Sequence, residues 1–251
     1  LAPRRAKRPH QNSPKKVLCP FDEGNEGMTP PELLRVGEGQ PDKKGWQIRV
    51  VPNLYQITSP HEVIIHSPDH KKDIADLPLS HVQEIFLVFQ SRFNALKKEG
   101  YPLIFNNSGA EAGASLPHPH SQIAVIPAHV GISSPLAQKP HNIALKGKSL
   151  VAFCPDFSVW PYETWIEPFP RGKNFADVDE EQLRELAKMT QQVLQSLLAA
   201  HPKLSYNFYI YPGDDWYLRI MGRNLIKAGF ELGSGIQVNT IDPADVVKIL
   251  S

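Results

Sequence analysis

The stretch Ser115-Leu116-Pro117-His118-Pro119-His120-Ser121-Gln122-Ile123-Ala124-Val125-Ile126 joins a polar loop to an apolar, strand-like run. Residues two apart on an extended segment point to the same side, so His118, His120 and Gln122 form one polar row. Three polar side chains on an otherwise apolar strand need partners, which favours a ligand site over packed core. The plain alternative is a pair of hydrogen-bonded histidines on a surface strand.

The loop ahead of this strand, residues 106–115, is small, polar and contains Gly109 and Gly113. Such a loop lets backbone N–H groups approach an anion, and Ser115 adds a hydroxyl donor. Asn107 is a further candidate ligand-binding side chain in this loop. By itself such a loop is more often a plain surface turn, but beside the histidine row it predicts a phosphate site.

The order strand, strand, helix, strand, strand is predicted twice along the chain, with the two copies about a hundred residues apart. The two helices are predicted over residues 80–98 and 179–200, where apolar side chains recur at helical spacing. Ser80 and Asp179 are their predicted N-caps. The eight strands are predicted over residues 47–53, 61–68, 103–105, 122–126, 150–156, 162–168, 207–211 and 216–220.

This repeat predicts an α+β fold of two tandem units, each an antiparallel sheet covered by one helix. We place the units at residues 1–135 and 136–251. Because each helix covers only one face of its sheet, the other face is free to hold a ligand. The two units can form separate domains or one continuous sheet.

Composition excludes several classes of function. The 251 residues carry 27 basic and 26 acidic side chains, a net charge of +1, so no nucleic-acid partner is expected. No apolar run reaches 18 residues and no signal peptide is visible, so no membrane partner is expected. Two cysteines make a poor disulfide framework, which predicts a cytoplasmic protein.

The first residues, 1–9, are basic and begin without Met. They are compatible with the end of a strand that continues from a missing segment, or with a basic tail.

The histidine segment resembles the active-site motif of the galactose-1-phosphate uridylyltransferases, the transferase branch of the histidine-triad superfamily. Other segments resemble family patterns in the same order: residues 5–9, 19–21, 25–26, 29–32, 67–70 and 228–231. The resemblance covers nearly the whole chain. It implies two histidine-triad-like units, of which only the first is catalytic.

The resemblance implies that His120 is the nucleophile that attacks the α-phosphorus of a nucleoside diphosphate sugar. A neutral imidazole suits this role, and a loop carbonyl is expected to bind its other ring nitrogen. Hydrolases of the superfamily have a third histidine where Gln122 stands. Because glutamine can only donate hydrogen bonds to the phosphoryl oxygens, it favours transfer over hydrolysis.

Further binding residues are implied by the same resemblance. Arg5, Arg8 and Ser115 match positions that hold the diphosphate, and Asn53 matches a position near the nucleoside. Phe230, Glu231 and Gln237 match the hexose-phosphate pocket, which in the family is completed by a neighbouring subunit. A homodimer is therefore expected.

The resemblance also implies one structural zinc site, formed by Cys19, Asp22, His70 and His118. Asp22 stands where the family has a second cysteine, and aspartate is an accepted zinc ligand. The alternative is a decayed site in which Asp22 caps a turn. No second metal is expected, because the matching stretches, residues 209–211 and 216–221, contain no histidine.

Three functions follow. The first is a hexose-1-phosphate uridylyltransferase that moves UMP from UDP-glucose to galactose 1-phosphate. The second, suggested by a likeness to ADP-glucose phosphorylases, is a phosphorylase or adenylyltransferase acting on ADP-glucose or a dinucleoside polyphosphate. The third is a non-catalytic nucleotide-binding protein. The remaining histidines are interpreted as surface or strand-end residues without a role: His10, His61, His66, His81, His129, His141 and His201.

Overall fold

The computed structural model describes residues 18–132, 139–226 and 228–251. These residues form ten strands and four α-helices. The strands are β1 (Leu34–Gly37), β2 (Trp46–Pro52), β3 (His61–Ile65), β4 (Tyr101–Ser108), β5 (His120–Ile126), β6 (Ile143–Lys146), β7 (Leu150–Phe153), β8 (Thr164–Pro168), β9 (Tyr206–Ile210) and β10 (Leu218–Gly222). The helices are α1 (Leu79–Leu96), α2 (Glu180–Ala200), α3 (Gly229–Ser234) and α4 (Pro243–Leu250).

All ten strands belong to one sheet, in the order β1-β2-β3-β5-β4-β9-β10-β8-β7-β6. The halves meet where β4 pairs with β9 in antiparallel register, with Ile104 opposite Ile210 and Asn107 opposite Asn207. Of the two arrangements that the sequence left open, the structure therefore has the continuous sheet. The expected α+β class is confirmed; the proposed boundary at residues 135 and 136 lies outside the described residues.

Both long helices contribute to one hydrophobic core with the sheet, and they pack against each other. The predicted apolar stripe of α1 is buried, including Val82, Phe86 and Phe93, and so is that of α2, including Leu186 and Leu194. This arrangement covers one face of the sheet and leaves the other face to the functional side chains.

Three local predictions differ from the structure. Helix α1 begins at Leu79 with Pro78 as its N-cap, so the assignment of Ser80 as N-cap is wrong. Strand β4 extends to Ser108, so Asn106 and Asn107 lie in the strand and not in a loop. The edge strands β1 and β6 were not predicted, because each is only four residues long. Asp179, in contrast, caps α2 as predicted, since its side chain accepts a hydrogen bond from the N–H of Gln182.

The face of the sheet opposite the helices carries two smaller apolar clusters. One surrounds the histidine segment and includes Phe21, Val63 and Ile65. The other lies in the C-terminal half and includes Trp165 and Tyr217, whose rings stack 4.2 Å apart. None of the helices in the described ranges is long and apolar enough to cross a bilayer.

Candidate active site

His120 is the first residue of β5 and is 6% exposed. Its Nδ1 lies 2.8 Å from the carbonyl oxygen of His118, an acceptor, so Nδ1 carries the proton. The lone pair of the neutral ring is then on Nε2, as a nucleophile requires. The edge of the Phe21 ring packs against the imidazole at 5.2 Å between centroids. The expected carbonyl partner is thus the backbone of His118.

Gln122 lies two residues further along β5, on the same face. Its Oε1 lies 3.1 Å from Asn53 Nδ2 and 3.1 Å from His61 Nε2. His61 Nδ1 accepts the backbone N–H of Ile57 at 3.0 Å, so the proton of His61 is on Nε2 and is donated to Gln122. Both hydrogen bonds go to the carbonyl oxygen of the amide, and its NH2 group is left to donate to a ligand.

His61 is a functional candidate that the sequence did not reveal. The interpretation as a surface or strand-end residue without a role is right about the strand end, since His61 is the first residue of β3, but the side chain is only 1% exposed and contacts Gln122. The register explains its position: β3 runs antiparallel to β5, with Val63 opposite Gln122 and His61 opposite Ala124. Only the pairing of these strands, 61 residues apart, brings His61 to Gln122.

Asn53 follows the end of β2 and holds Gln122 in place. Its Oδ1 accepts the backbone N–H of Tyr55 at 2.7 Å, which directs its Nδ2 towards Gln122. The expectation that Asn53 lies near a bound nucleoside stays a prediction.

A buried network of polar groups contacts the first residues of β5. Asn106 Nδ2 donates to the backbone carbonyl of His120 at 2.9 Å, and Ser121 Oγ lies 2.9 Å from His66 Nε2. His66 directly follows the end of β3 and is fully buried, so of the two interpretations, surface or strand end, the first is wrong. Burial, together with the neighbouring histidines, lowers the pKa of His66 well below its usual value. It is therefore a neutral, structural partner.

The loop between β4 and β5 turns at two glycines in the left-handed region, Gly109 (φ 87°) and Gly113 (φ 80°). A side chain at Gly109 would also collide with Ser205, which packs directly against it. Ser115, near the end of this loop, is half-buried. The predicted glycine-containing loop is thus present, and it is shaped partly by contact with the C-terminal half.

Cys19, Asp22, His70 and His118 come together as the sequence predicted, with their ligand atoms all within 4.8 Å of one another. Asp22 Oδ1 lies 2.6 Å from His70 Nδ1 and 3.0 Å from His118 Nδ1. One thiol, one carboxylate and two imidazoles can hold a metal ion. The buried His118 is already oriented for this role, because its Nε2–H donates to the carbonyl of Ser67 at 2.8 Å and leaves Nδ1 facing the cluster.

The electrostatics of this cluster suit a cation. Burial acts to raise the pKa of Asp22, but its contacts with the rings of His70 and His118 outweigh this effect and hold that pKa below its usual value. Burial lowers the pKa of His118, which keeps its ring neutral and able to ligate. Burial also raises the pKa of Cys19 to about 11, so a bound cation is needed to make this sulfur a thiolate.

Among the described residues, no hydrogen bond joins Phe230, Glu231 or Gln237 to this constellation. Arg5 and Arg8 lie outside the described residues. Phe230 is 60% exposed on α3. Glu231 accepts the backbone N–H of Ala228, and Gln237 donates to the carbonyl of Gly235, so the hydrogen bonds of both stay within the C-terminal segment.

The segment that carries these side chains is similar to known proteins. The family model described as galactose-1-phosphate uridyl transferase, N-terminal domain, matches residues 53–126, the segment from Asn53 to the end of β5. The chain is homologous to the galactose-1-phosphate uridylyltransferases. One such uridylyltransferase, from Haemophilus influenzae, is 26% identical over 243 residues, which cover 77% of this chain and 68% of that protein.

Similarity to a phosphorylase is more extensive. The ADP-glucose phosphorylase of Arabidopsis thaliana is 28% identical over 300 residues, covering 98% of this chain and 85% of that protein. A crystal structure of an ADP-glucose phosphorylase from the same plant, with bound ADP-glucose, superimposes with a TM-score of 0.80 at 24% identity. It covers 95% of this chain and 92% of the other, so the two proteins share their fold.

Proposed function

We propose that this homologue of the uridylyltransferases is a nucleotidyltransferase that carries a nucleoside monophosphate on His120. The observation that supports the proposal most directly is the tautomer of His120. Its Nδ1–H is bound to the carbonyl of His118, so Nε2 is the ring nitrogen that carries the lone pair, which a nucleophile that attacks phosphorus needs.

The reaction proceeds in two displacements. Nε2 of His120 forms a bond to the α-phosphorus of a nucleoside diphosphate hexose, and the bond from that phosphorus to the bridging oxygen breaks. Hexose 1-phosphate leaves with the electron pair of that bond. The ring now carries a positive charge, and the hydrogen bond from Nδ1–H to the carbonyl stabilises it. A phosphate oxygen of the acceptor then attacks the same phosphorus, the N–P bond breaks, and His120 returns to its neutral form.

Gln122 supports transfer over hydrolysis. With its carbonyl oxygen bound by Asn53 and His61, its NH2 group donates to the non-bridging oxygens as charge builds on them. An amide cannot protonate a leaving group, but a sugar phosphate is acidic enough to leave without a proton. The intermediate therefore persists until an acceptor arrives.

The donor and acceptor have two candidate pairs. One is UDP-glucose with a hexose 1-phosphate, since the name of the uridylyltransferases states uridylyl transfer with galactose 1-phosphate. The other is ADP-glucose with inorganic phosphate, as the name of the phosphorylase states. The second pair is favoured because similarity to the phosphorylase covers 98% of this chain, against 77% for the uridylyltransferase from Haemophilus influenzae.

The test is to incubate the protein with ADP-glucose or UDP-glucose labelled at the α-phosphorus, and to count acid-labile, alkali-stable label on the protein. We expect label from ADP-glucose that is released as ADP when phosphate is added. Label from UDP-glucose alone would reverse the choice of donor. If neither donor labels the protein, the proposal is wrong.

We further propose that Cys19, Asp22, His70 and His118 hold a structural zinc ion. Zinc would take no part in the transfer itself. It would link the segment that contains Cys19 and Asp22 to His118, which lies two residues before the start of β5. Phe21, between these two ligands, packs its ring against His120, so this fastening bears directly on the nucleophile.

We also propose that the C-terminal segment completes a hexose-phosphate pocket in a homodimer. Large apolar side chains are exposed along it, including Phe230, Leu232 and Ile236. Glu231 and Gln237 lie beside them and would bind the sugar phosphate of a second copy. Light scattering should give the mass of two chains, and a monomer at micromolar concentration would contradict this. A cytoplasmic location belongs to the same proposal, because a reducing compartment keeps Cys19 free to ligate.

A further inference from the structure

Asn207 lies on β9, the strand through which the C-terminal half pairs with β4. Its Nδ2 lies 2.7 Å from Asn107 Oδ1 and 2.9 Å from the backbone carbonyl of Ala112, in the glycine-containing loop. It also lies 3.4 Å from the carbonyl of Asn106. One amide of the C-terminal half thus contacts both the end of β4 and the loop that leads to the histidine segment.

These contacts fix the orientation of two amides. Two of the three groups around Asn207 Nδ2 are backbone carbonyls, which can only accept hydrogen bonds, so the NH2 end of Asn207 must face them. The same NH2 group faces the side chain of Asn107, and it can be satisfied there only by the Oδ1 of that side chain. The NH2 group of Asn107 is therefore turned away from Asn207 and left to donate elsewhere.

Asn107 is placed to donate at the reacting centre. The register of β4 and β5 ends with Asn106 opposite Ser121. Continued by one residue, this register would set Asn107 opposite His120. Side chains of directly opposed residues lie on the same face, with Cβ atoms about 4.5–5.5 Å apart. A phosphoryl group on Nε2 of His120 would come within reach of the amide of Asn107.

Two neighbours of Asn207 hold the same stretch of chain. Tyr206 Oη donates to Asp73 Oδ2 at 2.6 Å, and Ser108 Oγ donates to the same carboxylate oxygen at 3.0 Å. Ser205 packs against Gly109. Residues 205–207 at the start of β9 therefore contact the chain at several points between residues 107 and 112. These contacts restrain the position of Asn107.

We propose that Asn207 is a positioning residue that fixes Asn107 as a hydrogen-bond donor to the phosphoryl group on His120. The proposal rests on the proposed function of His120. The C-terminal half, which contributes no nucleophile, would then have a defined part in the reaction. The amide of Asn207 determines which end of the Asn107 amide faces His120, just as Asn53 and His61 orient the amide of Gln122.

The test is a double-mutant cycle with Asn207→Asp, Asn207→Leu and Asn107→Ala, measured as the rate of protein labelling. Asn207→Asp puts an acceptor in place of the donor, so Asn107 turns over and presents its oxygen to the phosphoryl group. We expect the rate to fall roughly 10- to 100-fold. Asn207→Leu removes the donor without adding charge and should cause a smaller loss. In the Asn107→Ala background neither change should reduce the rate further.

The same loss in the Asn107→Ala background would overturn the inference, because it would show direct charge repulsion or a general structural effect. So would a rate for Asn207→Asp equal to that of the unchanged protein. The matched control is Asn94→Asp, which removes a similar donor to the carbonyl of Ala176 on the helix side of the sheet. Its labelling rate should not change.

The orientation can also be read without any ligand, which separates this inference from the proposed function. In a ¹⁵N-edited spectrum, Asn207→Asp should shift the side-chain amide signals of Asn107 and slow their exchange, because the NH2 group turns to the new carboxylate. Unchanged signals would overturn the inference even if the protein is labelled. If the unchanged protein takes up no label but these signals shift, the proposed function fails, and what remains is that Asn207 sets the orientation of the Asn107 amide.

Discussion

Single proton positions decide the chemistry of this site at the scale of the residue. The carbonyl of His118 sets the tautomer of His120, and the N–H of Ile57 sets that of His61. His61 in turn fixes which end of the Gln122 amide faces the ligand. A backbone carbonyl can only accept and a backbone N–H can only donate, so each of these hydrogen bonds fixes the position of one proton. The side chains are therefore oriented without a substrate.

The role of His120 can be tested by chemical rescue. His120→Gly removes the nucleophile and leaves a space for imidazole, so transfer should fall to background without imidazole and recover in part when it is added. The measurement is product formation from a nucleoside diphosphate hexose or from preformed nucleotidyl imidazole. A variant that stays fully active without imidazole would show that another residue is the nucleophile.

His61→Leu should slow labelling of His120 by roughly tenfold or more, because it frees the Gln122 amide to turn over. The rate of single-turnover labelling measures this, with the urea midpoint showing that the protein is folded. His141→Ala, at an exposed position, is the control and should label at the normal rate. An unchanged rate for His61→Leu would mean that Asn53 orients Gln122 by itself.

At the scale of the element, the ends of helices and strands carry the local determinants. Helix α2 begins with a side-chain cap from Asp179, whereas α1 begins after Pro78 without one. Strand β5 begins at His120, and Asp22 contacts His118, two residues before it. Substitutions at these ends should therefore have separable effects.

Asp179→Ala should lower the free energy of unfolding by about 1 kcal/mol, the usual contribution of an N-cap. Urea denaturation followed by far-UV circular dichroism measures it. Ser80→Ala is the matched control on the other helix, and we expect no loss, because the side chain of Ser80 does not cap α1. Equal losses in the two variants would contradict this assignment of the caps.

The metal site gives a second prediction at this scale. Purified protein should contain about one zinc ion per chain, and Asp22→Ala should reduce this content and lower the urea midpoint, because one of four ligands is lost. Elemental analysis measures the zinc. Glu23→Ala is the control, since the carboxylate of Glu23 accepts the backbone N–H of Gly45 and lies outside the cluster. Purified protein without zinc, together with an Asp22→Ala variant whose urea midpoint equals that of the unchanged protein, would support a decayed site.

For the whole molecule, the pairing of β4 with β9 is decisive, because it joins the two halves into one sheet under one core. We expect a single unfolding transition. Trp46→Phe leaves only tryptophans of the C-terminal half, namely Trp160, Trp165 and Trp216. Fluorescence of this variant should give the same urea midpoint as circular dichroism of the whole chain. Two separate midpoints would show that the halves unfold independently.

The sequence by itself determined the parts that depend on local pattern. Apolar spacing located both long helices and eight of the ten strands, and the alternation of side chains along an extended segment placed His120 and Gln122 on one face. The quartet of Cys19, Asp22, His70 and His118 followed from a resemblance, and the structure brings its members together.

Only the tertiary structure decided which distant strands are neighbours. A single sequence carries no signal for the pairing of β3 with β5 or of β4 with β9, because strand pairing depends on the whole core and not on local pattern. Those pairings bring His61 to Gln122 and Asn207 to Asn107. One segment of the sequence therefore contains the polar row around His120, but strands elsewhere in the chain determine how its hydrogen-bonding groups are oriented.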